Sequence, residues 1–386
     1  MNDSMNRVVC LDGMRGLAAL WVLIGHCMLL TGFLAPVLSK PDLGVDLFIL
    51  LSGFLMVFQY RLRKDREDWD EPGTWVAFWV RRFFRISPLY YCLLIVALSC
   101  GAWLHADRVL IDAFFGREPQ LAERYLDGSF TNIIMHMSYA FGFVPGYAYR
   151  TPLPDWSLGL EMQFYAAFPF IVLLARRMGW LAAAVGVACL GIVMVLALQA
   201  LGVDFPMPAF LPLKLHLFLA GMMIAADHAG DRRRLTMQFA LAMLLAAIPF
   251  GGEGDLLHFV AREALVIGFF ALVHGRSLAI VDRLSRLLGS KPFYWLGELS
   301  FGTYLIHLMV LHPVAAWAIR RFGTDIAAGA RFAIVFLIVA AISYALAFVG
   351  YMLIERPGQK LGRSVLQLAG SRRGAIQTPA EEIAAP

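Results

Sequence analysis

The chain has 386 residues, of which 60% are hydrophobic and 16% are charged, and its mean hydropathy is +0.67. This composition excludes a soluble globular protein and predicts an integral membrane protein. The net charge of +5 does not indicate nucleic-acid binding, because the basic residues lie between apolar runs, where they report orientation. The five cysteines are scattered without a CxxC pair, so they predict neither a disulfide framework nor a metal site.

Apolar runs of about 17 to 25 residues, the length that spans a bilayer as a helix, recur along most of the chain. We predict ten spans, at roughly residues 16–36, 43–60, 87–104, 157–175, 180–201, 211–226, 235–250, 258–274, 293–313 and 332–354. The first run is too long for a removed signal peptide, so we interpret it as a retained span. The predicted fold is an all-α polytopic transmembrane bundle, with one domain over residues 1–360 and a short disordered cytoplasmic tail over residues 361–386.

The first predicted span carries two ionisable side chains, Arg15 and His26. They are eleven residues apart, which places them on one face of a helix and separates them by about 16 Å along its axis. Ionisable groups inside a bilayer are costly and usually serve a function. The alternative is that Arg15 extends to the membrane interface and that His26 makes a structural hydrogen bond between helices.

The segment 61–85 holds seven Lys and Arg residues, which places it and both chain termini in the cytoplasm by the positive-inside rule. Three of these residues, Arg81, Arg82 and Arg85, directly precede the third predicted span. Arg81 and Arg85 share a helical face, and their guanidinium groups suit phosphate. Such clusters also commonly fix orientation or contact lipid headgroups. Further basic clusters mark cytoplasmic returns at residues 176–177, 232–234, 276–291 and 356–363.

The apolar segment 131–149 does not fit ten crossings, because the chain enters and leaves the region 104–157 on the outside. We therefore predict a re-entrant or surface segment there, or a crossing whose partner is not recognisable. Its prolines and glycines are typical of irregular backbone. Arg320 and Arg321 are an exception to the charge pattern, since they fall in a predicted outside loop.

Two later spans also carry polar side chains. Glu161 lies about five residues into its span, with Tyr165 one turn further on the same face, and a carboxylate at that depth is expensive. Ser300, Tyr304 and His307 form a polar stripe on an otherwise apolar helix, which predicts that they face the bundle interior.

Further polar groups at the outer ends of spans suggest a polar cavity that is open to the outside and could accept a hydroxyl-rich molecule. They are Asp46, Lys214, His216, His258, Arg262 and Glu263. The sequence contains no phosphate loop, no HExxH, no GxSxG with an ordered triad and no dinucleotide fingerprint. Hydrolase and metalloenzyme functions therefore have no support.

Six blocks between residues 10 and 358 resemble, in the expected order, the acyltransferase-3 superfamily of multi-span membrane acyltransferases. They are LDGMRGLAALWVLIGH, GVDLFILLSGF, RRFFRISPLY, WSLGLEMQFYAAFP, LGELSFGTYLIH and IERP. The resemblance implies transfer of an acyl group, usually acetyl, from cytoplasmic acyl-CoA to a hydroxyl, often of a cell-surface sugar. It implies acetyl-CoA or another acyl-CoA as co-substrate, no metal, and a location in the bacterial inner membrane.

The resemblance also implies roles for individual residues. His26, Arg15 and Glu161 are the implied catalytic residues, and Arg81, Arg82 and Arg85 are implied to bind acyl-CoA. His26 acts either as a general base, which we favour, or as a nucleophile that forms an acyl-imidazole. Contacts with the substrate or the oxyanion are assigned to Ser300, Tyr304, His307 and Asp46. Two positions depart from the family pattern, because Gly159 replaces a common serine and no tryptophan follows His307.

Two other functions stay open at this point. In a transporter or flippase, Arg15, His26, Glu161 and His307 would line a proton or substrate path, although no internal repeat is evident. A noncatalytic scaffold is the third interpretation, which the retained Arg15 and His26 disfavour. The predicted partners are membrane lipid, acyl-CoA and a hydroxylated acceptor, without nucleic acid and with no particular oligomeric state or acceptor indicated.

Overall fold

The computed structural model describes residues 2–226, 231–252, 254–275 and 277–376, and within these residues all regular elements are helices. The predicted all-α class is confirmed. The α-helices are α1 (Asn2–Thr31), α2 (Pro41–Arg63), α3 (Pro72–Ser99), α4 (Gly101–Phe114), α5 (Glu123–Leu126), α6 (Phe130–Met137), α7 (Trp156–Met178), α8 (Trp180–Ala200), α9 (Leu215–Ala225), α10 (Arg232–Ala246), α11 (Leu256–His274), α12 (Ala279–Leu288), α13 (Lys291–Glu298), α14 (Ser300–Phe322), α15 (Ala328–Gly350) and α16 (Arg356–Ile376).

Eight helical segments of the described chain are long and apolar enough to cross a membrane. They lie within α1, α2, α3, α7, α8, α11 and α14, and along the continuous helix Ala328–Leu368. The predicted spans 211–226 and 235–250 correspond to the shorter helices α9 and α10, of 11 and 15 residues. On α8, the large side chains of Leu190, Val193 and Leu196 are exposed, as expected of a helix that faces lipid.

The third span begins earlier than predicted, at Pro72 instead of residue 87. Proline is favoured in the first turn of a helix, and two tryptophans fix the added turns against the bundle. The indole of Trp75 donates to the Trp69 carbonyl (2.8 Å), and that of Trp79 donates to the Tyr165 carbonyl (2.9 Å). The arginines at positions 81, 82 and 85 therefore lie inside α3 and not in a loop before it.

The segment 131–149 has the irregular backbone that its sequence predicts. It consists of α6 and two 3₁₀ turns, Ala140–Phe143 and Pro145–Tyr147. Buried Asn132 ties the segment to its neighbours, because its side-chain amide donates to the carbonyls of Asp127 (2.7 Å) and Arg150 (3.0 Å). The pKa of Asp127 is lowered overall, since hydrogen bonds from Ser129 and Arg150 outweigh the opposing effect of partial burial.

Arg320 and Arg321, which were predicted to lie in an outside loop, belong to the last turn of α14. Arg320 forms an ion pair with buried Asp107 of α4 at 2.7 Å.

The tail that was predicted to be disordered begins in a helix. A π-helical turn, Tyr351–Glu355, joins α15 to α16, and α16 continues to Ile376; residues 377–386 of that tail lie outside the described chain. Packing against α3 explains this helix, because Gly358 and Gly362 bring its backbone close to Pro88 and Phe84.

Helix α2 runs along the centre of the bundle and packs most extensively against α9. The two backbones meet at a pair of glycines. A Cβ atom at Gly53 would collide with the Phe218 carbonyl oxygen, and one at Gly221 would collide with the Leu50 carbonyl oxygen. Small residues at this crossing therefore set the distance between the two helices.

We expect Gly221→Ala to lower the stability of the protein by about 1–3 kcal/mol, because an added methyl group forces two rigid backbones apart. The measurement is the apparent Tm of purified protein in detergent. Gly186→Ala on α8 is the matched control, since no atom lies within 4 Å of its added Cβ. An unchanged Tm for Gly221→Ala would contradict the close packing of α2 and α9.

Candidate active site

His26 of α1 and His307 of α14 lie side by side. Nε2 of His307 is 3.2 Å from Nδ1 of His26, and the ring centroids are 5.0 Å apart. His307 is fully buried, whereas His26 is partly exposed. The sequence indicated both residues, but it gave no sign that they would meet, because 281 residues separate them.

Backbone carbonyls fix the protonation of both rings. Nδ1 of His307 is 2.6 Å from the Tyr304 carbonyl oxygen, so Nδ1 carries the proton and Nε2 is an acceptor in the neutral ring. Nδ1 of His26 is 2.9 Å from the Val22 carbonyl oxygen, so its N–H donates to that oxygen and toward His307. Nε2 of His26 thus keeps its lone pair, and it makes no hydrogen bond within the described residues.

A cavity between α1, α2, α7 and α14, here called the inner cavity, has a volume of about 60 Å³. Its polar lining consists of Arg15, Ser52, Ser157, Glu161 and Tyr304. The guanidinium of Arg15 is partly buried and makes no hydrogen bond or ion pair within the described chain. A guanidinium in that state is available to a ligand.

Glu161 is held by two hydroxyl groups. Its Oε1 accepts from Ser52 Oγ (3.3 Å) and from the phenol of Tyr165, which confirms that Glu161 and Tyr165 share a helical face. The predicted polar stripe is also confirmed, because Ser300, Tyr304 and His307 are all buried. Within it, the phenol of Tyr304 donates to the Pro154 carbonyl (2.8 Å) and lies 2.7 Å from Ser157 Oγ.

A second cavity, here called the basic cavity, has a volume of about 240 Å³ and lies at the carboxyl end of α2. It is lined by Gln59, Arg63, Arg81, Arg82, Phe84, Arg85, Gln359, Gly362 and Arg363. The structure thus brings the three predicted arginines into one cavity. It adds residues that the sequence analysis missed, from the end of α2 and from α16. The signal in the sequence that could have indicated the α16 residues is the spacing of Gln359 and Arg363, which places both on one face of a helix.

The three predicted arginines differ in their partners. Arg81 pairs with Glu67 (3.1 Å), and Arg82 donates to Gln59 and lies over the ring of Tyr165 at 5.3 Å. Arg85 is partly buried and makes no hydrogen bond or ion pair within the described residues. Arg363 also makes none within this part of the chain. A cavity with several guanidinium groups, two of them without a partner in the described chain, is suited to an anion with more than one phosphate.

Four predicted site residues line neither of these cavities: His26 and His307, which form the pair described above, and Ser300 and Asp46. The hydroxyl of Ser300 donates to the Gly297 carbonyl (2.6 Å). Asp46 accepts from Lys214 and from Arg262 (2.6 Å), and all three side chains are buried. The prediction that Asp46, Lys214 and Arg262 line an open polar cavity is therefore wrong, because mutual pairing closes these charges into a buried cluster.

The cavities lie in sequence along α2. Its residues Val45 to Ser52 line the inner cavity, and Gln59 and Arg63 line the basic cavity. At a rise of about 1.5 Å per residue, Ser52 and Arg63 are about 16 Å apart along the helix axis. Among the described residues, no group of three or more His, Cys, Asp or Glu side chains is arranged to hold a metal ion.

The sequence model of the acyltransferase-3 family, described as an acyltransferase domain, matches residues 8–352. The chain therefore belongs to this family and is a multi-pass integral membrane protein with bacterial relatives. No solved structure matches the chain.

Three curated relatives illustrate the similarity. Peptidoglycan O-acetyltransferase OatA of Listeria monocytogenes is 24% identical over 333 residues, covering 80% of this chain and 50% of that protein. Acyltransferase MdmB of Streptomyces mycarofaciens is 27% identical over 335 residues, 79% of each chain. The putative membrane-bound transacylase BcsY of Komagataeibacter xylinus is 30% identical over 175 residues, 44% of this chain and 38% of that protein. The chain thus spans half or less of two of these relatives.

Removing Asp46 should strongly destabilise the protein, because Asp46→Ala leaves Lys214 and Arg262 buried without their counter-ion. We expect a loss of about 3–5 kcal/mol, seen as a marked fall in apparent Tm. Asp282→Ala is the matched control, since its ion pair with Arg286 is exposed and such pairs contribute about 0–1 kcal/mol. Equal Tm values for the two variants would show that the buried cluster has no structural role.

Proposed function

We propose that the protein is an O-acyltransferase that moves an acetyl group from cytoplasmic acetyl-CoA to a hydroxyl of a cell-surface glycan. The observation that carries this proposal is the pair of His26 and His307, which leaves Nε2 of His26 unprotonated and unbonded. His307 lies about one helical turn from Tyr304, which lines the inner cavity. Family membership supports the acyl transfer, and relatives named as O-acetyltransferases support the oxygen acceptor. One of these relatives is named for peptidoglycan, a polysaccharide-type acceptor.

In this mechanism His26 is the general base. Its Nε2 takes the proton of the acceptor hydroxyl while the hydroxyl oxygen attacks the thioester carbonyl. The tetrahedral intermediate collapses, the C–S bond breaks, and the proton on His26 passes to the departing thiolate. His307 is a positioning residue, because its Nε2 accepts from Nδ1–H of His26, which holds the reactive tautomer and stabilises the transient imidazolium.

The basic cavity is the proposed site for the phosphates of acetyl-CoA, with Arg81, Arg82 and Arg85 as ligands. Arg15 stands at the inner cavity, where its free guanidinium can bind a phosphate as the long, thin pantetheine arm enters. Glu161 is proposed to orient the acceptor or the reacting groups. Tyr304, whose side chain lines the inner cavity, is proposed to turn its O–H from the Pro154 carbonyl to the developing oxyanion.

The proposal includes ten crossings with both termini in the cytoplasm, in which α9 and α10 are the two short crossings. The segment 131–149 is then a re-entrant or surface element, and residues 1–360 form one catalytic domain. Under this topology the basic cavity faces the cytoplasm, where acetyl-CoA is found. The opposite end of the bundle faces the outside, where a glycan is presented.

Substitution of His26 should abolish transfer while the protein stays folded. We expect purified wild-type protein in nanodiscs to release free CoA thiol from acetyl-CoA in the presence of a glycan acceptor panel. His26→Ala should lower that rate at least 1,000-fold, on the order of a lost general base together with its orientation. His307→Gln should lower kcat about 10- to 100-fold with little change in KM, because the tautomer of His26 is no longer held.

The matched control for both variants is His105→Ala, because His105 of α4 makes its ring contact with Tyr125 and none with His26 or His307. It should keep the wild-type rate. Equal rates for wild type and His26→Ala would remove His26 from the mechanism. Substrate uptake into vesicles without release of CoA would favour transport over transfer.

Arg85→Ala should raise the KM for acetyl-CoA about 10-fold, because it removes a free guanidinium from the proposed phosphate site. The KM for the acceptor should stay the same. Arg177→Ala is the matched control, since Arg177 is an exposed cytoplasmic arginine outside the basic cavity. Direct titration of CoA binding checks the prediction, and equal affinity in Arg85→Ala and wild type would contradict it.

A further inference from the structure

A third cavity, here called the distal cavity, lies at the amino end of α2 and has a volume of about 770 Å³. Asp42 lines it, whereas Gln59 of the same helix lines the basic cavity. These two residues are 17 positions apart, which corresponds to about 25 Å along the helix axis. The distal cavity and the basic cavity therefore lie at opposite ends of the bundle, with the inner cavity between them.

The lining of the distal cavity includes a residue of α1 that follows His26 by less than one turn. Leu29 lines it and follows His26 by three residues, which is less than one turn of α1 and about 4.5 Å along the axis. Trp156 also lines it, whereas the next residue, Ser157, lines the inner cavity. The first turn of α7 therefore contributes to both cavities.

The lining combines an aromatic surface with short polar side chains. Trp156 and Phe205 supply aromatic rings, and Asp42, Gln199 and Asp204 supply carboxylate and amide groups. Trp156 is only 6% exposed, yet its indole N–H makes no hydrogen bond within the described residues. This donor is therefore available to a ligand. Aromatic faces beside hydroxyl-binding carboxylates and amides suit a saccharide.

The lining of this cavity carries charges of both signs, two carboxylates (Asp42 and Asp204) and one ammonium group (Lys40). Asp42 accepts from His258 at 2.5 Å, and Lys40 lies 3.6 Å from Asp255. The pKa of Asp255 is lowered, because the backbone N–H and the ring of His258 both bond to its carboxylate. With carboxylates and an ammonium group on the same wall, the site has no strong preference for an anion. A neutral ligand fits this balance best.

Two glycines bring a further donor to the wall. Gly251 has a φ of +62°, a conformation that favours glycine, and Gly252 lies directly against Nη2 of Arg262. That Nη2 atom is buried and has no hydrogen-bond partner. Arg262 is otherwise held by Asp46, so its position is fixed while one N–H group stays unused. A small shift of the glycine backbone would open this donor to a hydroxyl oxygen.

We propose that the distal cavity binds the acceptor, a neutral hydroxyl-rich saccharide, and presents one of its hydroxyls to Nε2 of His26. This proposal rests on the proposed O-acyltransferase function and adds the acceptor site to it. The transfer step is the one given above: the hydroxyl proton moves to His26, the new O–C bond forms, the C–S bond breaks, and CoA leaves as the thiol. The acceptor and acetyl-CoA thus approach the histidine pair from opposite ends.

The test is photolabelling of the full-length protein in nanodiscs, without acetyl-CoA. The probe is a pool of neutral oligosaccharides of glucose, N-acetylglucosamine and rhamnose that carry a diazirine group. We expect labelled peptides to map to Trp156 and to the segment 195–208, with labelling reduced by excess unlabelled pool. Val203→Trp, which fills the cavity, should lower the labelling at least 5-fold. Val193→Trp on the exposed face of α8 is the matched control and should label as wild type does.

A kinetic measurement separates this proposal from the proposed function. With the best labelled sugar as acceptor, Asp204→Asn should raise the acceptor KM about 5-fold and leave the acetyl-CoA KM unchanged. Asp325→Asn, in another exposed loop, should change neither. Labelling that maps elsewhere, or that is equal in Val203→Trp and wild type, would overturn the acceptor site. Cavity labelling without any CoA release would keep the saccharide site and overturn the acyltransferase mechanism.

Discussion

The hydrogen bond between His26 and His307 is the interaction on which the proposed chemistry depends. It joins the first helix to α14 and, together with the Val22 carbonyl, occupies Nδ1 of His26. The lone pair of that ring is consequently left on Nε2. The Tyr304 carbonyl extends the chain by fixing the proton of His307. A base is thus prepared by neutral hydrogen bonds, without a buried carboxylate beside it.

The three cavities are arranged along one helix of the bundle. Helix α2 contributes to all three, from Asp42 in the distal cavity through Ser52 in the inner cavity to Arg63 in the basic cavity. A straight helix fixed by close glycine contacts with α9 can keep such sites in register. The charged groups that stabilise the bundle, around Asp46, pair with one another. Arg15, Arg85 and Arg363, which line the cavities, make no such pairs within the described residues, so their guanidinium groups are left for a ligand.

The low identity to the curated relatives is compatible with this arrangement. A shared family implies shared transfer chemistry, and that chemistry needs only a few fixed groups near the centre of the bundle. The end of the bundle that is proposed to bind the acceptor can vary with little cost, because part of the lining of the distal cavity comes from loops and helix ends such as residues 203–208. Differences among relatives in acceptor are therefore expected to lie around the distal cavity, away from the histidine pair.

The sequence alone determined the membrane class, most helices, and nearly all the groups with chemistry, because an ionisable residue in an apolar run is costly and easily recognised. It could indicate that Arg15, His26, Glu161 and His307 face an interior. Only the tertiary structure decided which of them meet, because contacts between residues 281 positions apart depend on how helices pack. Packing also closed the Asp46 cluster that had been predicted as an open cavity. It likewise brought α16 to the basic cavity, since glycine contacts with α3, which local composition does not encode, hold that helix in place.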